Sequence, residues 1–488
     1  MSGPASGVFV EGEWGGQGAC IDVINPSTEE IASSVRTASL DDVRQAIRTA
    51  RSAYDQTDWA SAPRAQRVRA VVGLIDALVE RQDRIRQIVI AEAGCPVASP
   101  VMAVQVDLPL KHTRDYAQYY LSLPETEPNP VPLQERISPA GMLIESVKNY
   151  VPVGVVSAIS AYNFPFYLNM WKVIPALLTG NTVILRPSPL TPLSALIFGE
   201  AAAAAGLPKG VLNIVVDAGH EGGVLMTQDA AVDLVTFTGS STVGELVAAQ
   251  ASKGLKRIQL ELGGKSAQIF LPDRIEAADA AAAGVCAAHA GQGCALGTRI
   301  FVPSEFKADI MRRMAEQLAQ LTIGDAACPS TIIGPVITAA QRDRCAHYVA
   351  AATAAGAKVV AGGNRPASLA RGYFFEPTIL DLPDNRNPAA QDEIFGPVVG
   401  VIGYDSVDHA VEMANDSPFG LSGYVFGRDL IQAIQVAKRL RTGTVNVNSG
   451  LHSPYSSSGG FGLSGVGRER GYEGLRIYQQ LQVLNISN

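Results

Sequence analysis

Cys294 is the residue of this 488-residue chain whose setting best suits a nucleophile. It closes Gly291-Gln292-Gly293-Cys294, directly after the alanine-rich AAAAGVCAAHA, and the glycines beside it let a second molecule approach the sulfur. The other five cysteines (Cys20, Cys95, Cys286, Cys328 and Cys345) are scattered and form no C-x-x-C pair. All six are therefore expected to be free thiols, with no disulfide framework and no metal site. Upstream, Glu261 stands between leucines in Leu260-Glu261-Leu262-Gly263-Gly264-Lys265, at the end of an apparent strand. A carboxyl there must find partners or change its pKa, which suits a general base; the same residue also fits a carboxylate on an exposed edge strand. A cysteine hydrolase would want a histidine beside the thiol, and His289 lies five residues before Cys294.

A third feature suits a phosphate. DLVTFTG runs into Gly239-Ser240-Ser241-Thr242-Val243-Gly244, and ELVAAQASKG then reads as a helix, so glycines and hydroxyls sit at a helix N-terminus. A serine-capped strand-to-helix turn fits the same residues. A literal G-x-G-x-x-G spans Gly460 to Gly465, but too little chain follows it for the rest of a βαβ unit and its acidic partner, so it reads as a loop closing over a site.

These residues need a large scaffold, and the length exceeds what one core usually holds, so at least two domains are expected. Residues 39–92 carry apolar positions at helical spacing, with Ser39 as a cap before LDDVRQAIRTARSAY. From Tyr150 the chain turns to short apolar runs (VPVGVVSAIS, NTVILRPS, GVLNIVV) separated by helical segments, the rhythm of βαβ units and a parallel sheet. A second such layer begins near Ser266. Between them, residues 124–148 hold five prolines and the alternating RISPAGMLIESVK, an extended hairpin whose edge predicts oligomerisation.

Composition excludes other classes. With 47% hydrophobic and 17% charged residues the chain is an ordinary soluble globular protein. A net charge of −7 without a basic cluster argues against nucleic acid or an anionic membrane as partner. The first residues lack a secretion signal and no apolar run is long enough to span a bilayer, so a cytoplasmic location is expected.

Taken in order, AYNFP (161–165), WKVIPAL (171–177), ILRPSPLTP (184–192), FTGSSTVG (237–244), LELGGKS (260–266), GQGC (291–294), EIFGPV (393–398) and SGVGRERG (464–471) resemble the aldehyde dehydrogenase superfamily, collinearly over the whole chain. The resemblance implies an α/β fold with a Rossmann-like cofactor domain (1–122 and 149–262), an α/β catalytic domain (263–476) and a β-hairpin oligomerisation arm (123–148 and 477–488) that makes a homodimer or homotetramer. It implies oxidation of an aldehyde through a hemithioacetal and thioester on Cys294, with hydride passing to NAD or NADP. Asn163 and the Cys294 N–H would hold the oxyanion. Glu261 would activate water, which favours a free acid over acyl transfer to coenzyme A. Lys172 and Glu469 match proton-relay and cofactor-contact positions, although each also reads as a solvated charge.

For the cofactor, the resemblance assigns Gly239 and Ser240 to the pyrophosphate, Glu393 and Phe395 to the nicotinamide ribose and Arg186 to the adenine ribose. Ile159, Ser160, Tyr162, Ser188, Gly219, Phe237 and Leu262 complete that set. The sequence departs from the family where Arg186 replaces the usual lysine and Pro189 replaces an acid common in NAD-preferring members. NAD remains the expected cofactor, with NADP the alternative. Phe164, Leu168 and Trp171 are expected to form apolar pocket walls, with the small Ala288, Gly293 and Ala295 and with His452 around the nucleophile. A roomy pocket of this kind, without an arginine for a second carboxylate, predicts a bulky hydrophobic or aromatic aldehyde. The alternatives are a semialdehyde or acylating dehydrogenase, or a non-catalytic relative.

Overall fold

The computed structural model describes residues 5–450 and 453–487. Five parallel strands lie side by side in the order Arg257–Glu261, Leu234–Thr238, Val155–Ile159, Thr182–Arg186, Leu212–Val215. Gly465–Val466 extends this sheet at one edge, and Val8–Val10 with Glu13–Gly15 extends it at the other. Val155–Ile159, Thr182–Arg186 and Leu234–Thr238 are buried at every position, as the continuous apolar runs require of strands covered on both faces. On one face, Val43, Ala46, Ile47 and Ala50 of helix Leu40–Gln56 pack with Met226 and Val247. Helices Arg64–Val79, Pro165–Leu178 and Leu193–Ala204 cover the other. The expected cap is present: the Ser39 hydroxyl accepts from the Asp42 amide, and the Asp42 carboxylate accepts from the Ser39 amide at 2.8 Å.

The second layer is a seven-stranded sheet in the order Lys358–Ala361, Thr378–Asp381, Val398–Tyr404, Arg299–Pro303, Ala267–Phe270, Ser422–Phe426, Thr444–Val447. All its pairings are parallel except the first. Helices Ala281–Ala287 and Lys307–Leu318 pack on one face, and Ala339–Ala354, Val407–Asn415 and Leu430–Ala437 on the other. The chemistry falls between the two sheets.

A separate three-stranded sheet holds Ile144–Pro152 between Thr126–Pro128 and Gln479–Ser487, the last pairing antiparallel over nine residues. Pro128 lies on the outer strand, where a missing N–H costs no ladder bond. Two segments cross the domain limits expected from sequence. The long strand runs on from Ile144 to Pro152, and Gly465–Val466 joins the first sheet rather than the second, because its antiparallel register with Leu260 and Glu261 seals that edge. No helix among the described residues is long and apolar enough to cross a membrane.

Candidate active site

The chain leaves Val155–Ile159 towards one edge of the first sheet, then crosses back to lay Leu234–Thr238 on its other side. Such a switch of direction opens a crevice at the carboxyl ends of the strands. Those ends carry Ile159-Ser160, Arg186, Phe237 to Gly239, and Glu261-Leu262. Six of the residues expected to hold a cofactor and the expected general base are thus brought to one edge by topology.

Ser240 caps helix Ser241–Ser252, its hydroxyl accepting from the Val243 amide at 3.4 Å. A Cβ on Gly239 would stand 2.3 Å from the Phe237 ring, so only glycine keeps the approach to this helix N-terminus open. Val243 and Leu246 follow on the first turns, 43% and 57% exposed. Apolar side chains left bare beside an anion-binding terminus suit the flat face of a base; their exposure, invisible to periodicity, is the signal. The Glu393 carboxylate accepts from the Gly264 amide at 2.9 Å, and burial pushes its pKa up to about 6. Phe395 adopts a left-handed backbone (φ 62°), with its ring edge-on to Tyr162 at 6.0 Å. The Gln341 amide holds that loop by donating to the Ile394 and Phe395 carbonyls, both at 2.8 Å. An open helix terminus, a buried Thr238 hydroxyl without a partner, bare apolar side chains and a carboxylate across the cleft fit a dinucleotide.

Arg186 is less free than a ribose or phosphate contact would suggest. Its guanidinium donates to Asp217 at 3.2 Å and to the Gly219 carbonyl at 2.6 Å. Asp217, which sequence reasoning passed over, also accepts from the Gly219 and Gly223 amides. Ser188 sits in the turn that follows, its hydroxyl accepting from the Leu190 amide.

The nucleophile loop is built by strain. After helix Ala281–Ala287, His289, Ala290 and Gly291 take φ values of 52°, 51° and 72°, which reverses the chain. A Cβ on Gly291 would lie 2.1 Å from the Gly396 carbonyl, so this step is glycine on two counts. Gln292 locks the turn: its amide donates to the His289 carbonyl and accepts from the Ile337 amide. Asn163 donates one N–H to the Gln292 carbonyl at 2.9 Å, two residues before Cys294, and leaves its second N–H for another acceptor. Burial, with Glu393 and Glu261 nearby, pushes the half-buried Cys294 thiol up to about 12, so it needs a base. Glu261 lies 8% exposed at the end of its strand, and burial and the neighbouring Glu469 hold its carboxyl well above the usual range. The surface alternative for Glu261 is therefore ruled out.

Lys172 and Glu469 are buried, not solvated. The Lys172 ammonium donates to Thr236 at 2.9 Å and reaches Glu469 at 3.4 Å. His289 is no partner for the thiol: burial lowers its pKa to about 4, neither ring nitrogen has a hydrogen bond, and the ring packs edge-on to Phe164. That removes the hydrolase alternative. Of the expected pocket residues, Phe164, Ala288, Gly293 and Ala295 are half-buried near the nucleophile and Leu168 is 8% exposed. Trp171 does not line an open pocket: it has no exposed surface and packs in the helical layer against Tyr116 and Tyr167. One turn earlier on the helix, half-buried Tyr167 offers the accessible aromatic surface. His452 lies outside the described residues.

The description "Aldehyde dehydrogenase family" belongs to a family model that matches residues 14–484. Geranial dehydrogenase of Castellaniella defragrans is 36% identical over 477 residues, spanning 97% of each chain. The chloroplastic betaine aldehyde dehydrogenase of Atriplex hortensis is 34% identical, over 98% of this chain and 96% of its own. Among solved structures, an aldehyde dehydrogenase C mutant from Pseudomonas syringae, complexed with NAD+ and octanal, is similar with a TM-score of 0.91 and 34% identity, covering 99% of this chain and 97% of that one.

Proposed function

Because this chain belongs to the aldehyde dehydrogenase family, we propose that it oxidises an aldehyde to the free carboxylic acid on Cys294, with NAD as hydride acceptor. The observation that carries this reading is the convergence of Cys294, Asn163 and Glu261 at the carboxyl ends of a switch-point sheet. Cys294 Sγ attacks the carbonyl carbon as its proton leaves to Glu261, and the oxyanion accepts from the Cys294 N–H and the free N–H of Asn163. A nicotinamide cofactor bound beside Glu393 and Phe395 would supply the hydride acceptor. The acyl group is then left as a thioester on Sγ. Once the proton taken from the thiol has passed to solvent, Glu261 removes a proton from water; the hydroxyl adds to the acyl carbon, the C–S bond breaks, the sulfur regains a proton from Glu261, and the acid leaves.

Ser240 and the helix N-terminus it caps would hold the pyrophosphate, Val243 and Leu246 the adenine, and Glu393 a ribose. The Arg186–Asp217 pair supports NAD over NADP, since a guanidinium already matched to a carboxylate has less charge to offer a 2′-phosphate. The substrate we favour is bulky and hydrophobic. Small residues at Ala288, Gly293 and Ala295, the apolar Phe164 and Leu168, and relatives named for geranial and octanal support that choice. Lys172 and Glu469 serve the general base. The strands Ile144–Pro152 and Gln479–Ser487, with Leu481, Val483 and Ile486 exposed, would pair the arm with a second copy. Free thiols exposed at Cys20 and Cys328 fit a reducing compartment such as the cytoplasm.

The test is formation of reduced cofactor by purified protein, with NAD and NADP in parallel, over long-chain, terpenoid, aromatic, betaine-type and semialdehyde substrates. Turnover that disappears in Cys294→Ala and prefers the apolar aldehydes is expected. Turnover appearing only with added coenzyme A overturns the free-acid product, and none with any pair overturns the activity.

A further inference from the structure

Two side chains of the first sheet have no place in the mechanism above, yet they join its base to its lysine. Strands Leu234–Thr238 and Arg257–Glu261 run parallel in a register that sets Thr236 opposite Gln259. Gln259 and Glu261, two apart on one strand, point to the same face. Both Thr236 and Gln259 are fully buried. Helix Pro165–Leu178 brings Lys172 down onto that face, so four polar side chains meet, three of them without exposed surface and Glu261 at the open end.

Their hydrogen bonds can run in one direction only. A lysine ammonium has donors and no acceptor, so at 2.9 Å it gives a proton to Thr236 Oγ1. The single hydrogen of that hydroxyl is then donated to Gln259 Oε1. With its oxygen committed, Gln259 turns its NH2 towards Glu261, donating to Oε1 at 3.3 Å. Every donor from Lys172 onwards aims at the Glu261 carboxylate, an arrangement in which successive bonds polarise one another. On its other side Lys172 faces Glu469 at 3.4 Å. Two buried carboxylates therefore share one ammonium, Glu469 directly and Glu261 through an amide and a hydroxyl.

We propose that Gln259 and Thr236 are positioning residues for the water-activating step: they hold the Glu261 carboxylate in place and transmit the Lys172 charge to it. This rests on the dehydrogenase reading above. The other charged or titratable groups facing Glu261 are Tyr167 on the Lys172 helix, Arg470 beside Glu469, Tyr478, and Cys294. Among the described residues none of these donates a hydrogen bond to its carboxylate, and the bridge supplies the one side-chain donor found there that stabilises the ionised base. Losing it disfavours the charged form and raises the pKa, so the base works at higher pH.

The experiment compares wild type, Gln259→Leu, Thr236→Val, the double variant and Thr236→Ser as full-length protein. The first readout is stopped-flow formation of reduced cofactor, separating the burst of hydride transfer from the steady state set by thioester hydrolysis. The second needs no cofactor: the rate of Cys294 alkylation by iodoacetamide against pH, read by peptide mass spectrometry. In Gln259→Leu the steady-state rate at neutral pH is expected to fall about tenfold with a burst still visible, and its pH midpoint to move up by about one unit. The base-dependent limb of the alkylation profile should move the same way. Thr236→Val should act in the same direction, the double variant should be no worse than the worse single one, and Thr236→Ser should return the wild-type profile. Folded variants that retain the wild-type midpoints, or effects that simply add, would overturn the proposal. If Gln259→Leu does not fold, the near-isosteric Thr236→Val carries the test. If wild type oxidises no aldehyde, the activity reading fails, and the alkylation profiles still decide on the bridge.

Discussion

Glu92 is fully buried in helix Gln82–Ala93 and has no ion pair among the described residues, yet its two oxygens accept from the Leu193 and Ser194 amides at 2.7 and 3.1 Å. It caps helix Leu193–Ala204 from a neighbouring element, and so fixes the segment running from Arg186 to that helix. Burial outweighs these bonds and pushes its pKa up to about 7 from its ordinary 4.5. An acid whose folded pKa is raised holds its proton in the native state after the unfolded chain has released it. Its contribution is therefore complete below pH 4.5 and is lost as pH rises towards 7, amounting to about 3 kcal/mol. Glu92→Gln keeps one acceptor and cannot ionise. At pH 5, where the native glutamic acid is neutral, the variant should be less stable by about 1 kcal/mol for the acceptor it lacks. By pH 8 the comparison should have swung by about 3 kcal/mol in the variant's favour, so that it equals or exceeds wild type. Urea unfolding of both proteins from pH 5 to 8 reads this directly. A stability difference that stays constant over the window refutes the reasoning and returns Glu92 to an ordinary cap whose carboxylate the helix N-terminus keeps ionised.

Asn163→Ala removes an oxyanion donor and should slow hydride transfer by about 10²- to 10³-fold with the cofactor affinity retained; single-turnover kinetics within tenfold of wild type would count against the assignment. Glu393→Gln removes one of the charges that keep the Cys294 thiol protonated, so iodoacetamide should alkylate Cys294 faster at neutral pH, with the midpoint of that profile moved down. Asp217→Asn unmatches Arg186 while preserving the acceptor for Gly219, and should raise the kcat/KM ratio of NADP to NAD by about tenfold; an unchanged ratio places Arg186 away from the 2′ position.

What was legible in the sequence tracks what local rules govern. Apolar runs closed by glycine, proline or asparagine gave the parallel strands, since a strand covered on both faces has no alternative pattern. Ser39 and Ser240 were readable as caps because the rule concerns a residue and its own next turn. Cys294 and Glu261 stood out as an oddly placed thiol and carboxyl, and the collinear fragments supplied their roles. The rest depends on which elements meet. Trp171 reads as an apolar pocket wall alongside Phe164 and Leu168, but the helix turns it into the layer with Tyr116. Asp217, just past one strand, and Gln259, in the middle of another, look like ordinary polar residues until the register sets one beside Arg186 and the other beside Thr236. The exposure of Val243 and Leu246 is likewise a property of the cleft.

The same register also explains why the base can be both buried and usable. A lone carboxylate at 8% exposure would be driven to its neutral form, and a carboxylate paired directly with a lysine would be held ionised and weakly basic. Here the lysine is given to Glu469 at 3.4 Å, and only the far end of a hydrogen-bonded chain reaches Glu261. Burial and Glu469 raise its basicity while the Lys172 charge, the Gln259 donor and Arg470 restrain the rise, and the Gln259 share of that restraint depends on one strand pairing, Thr236 against Gln259.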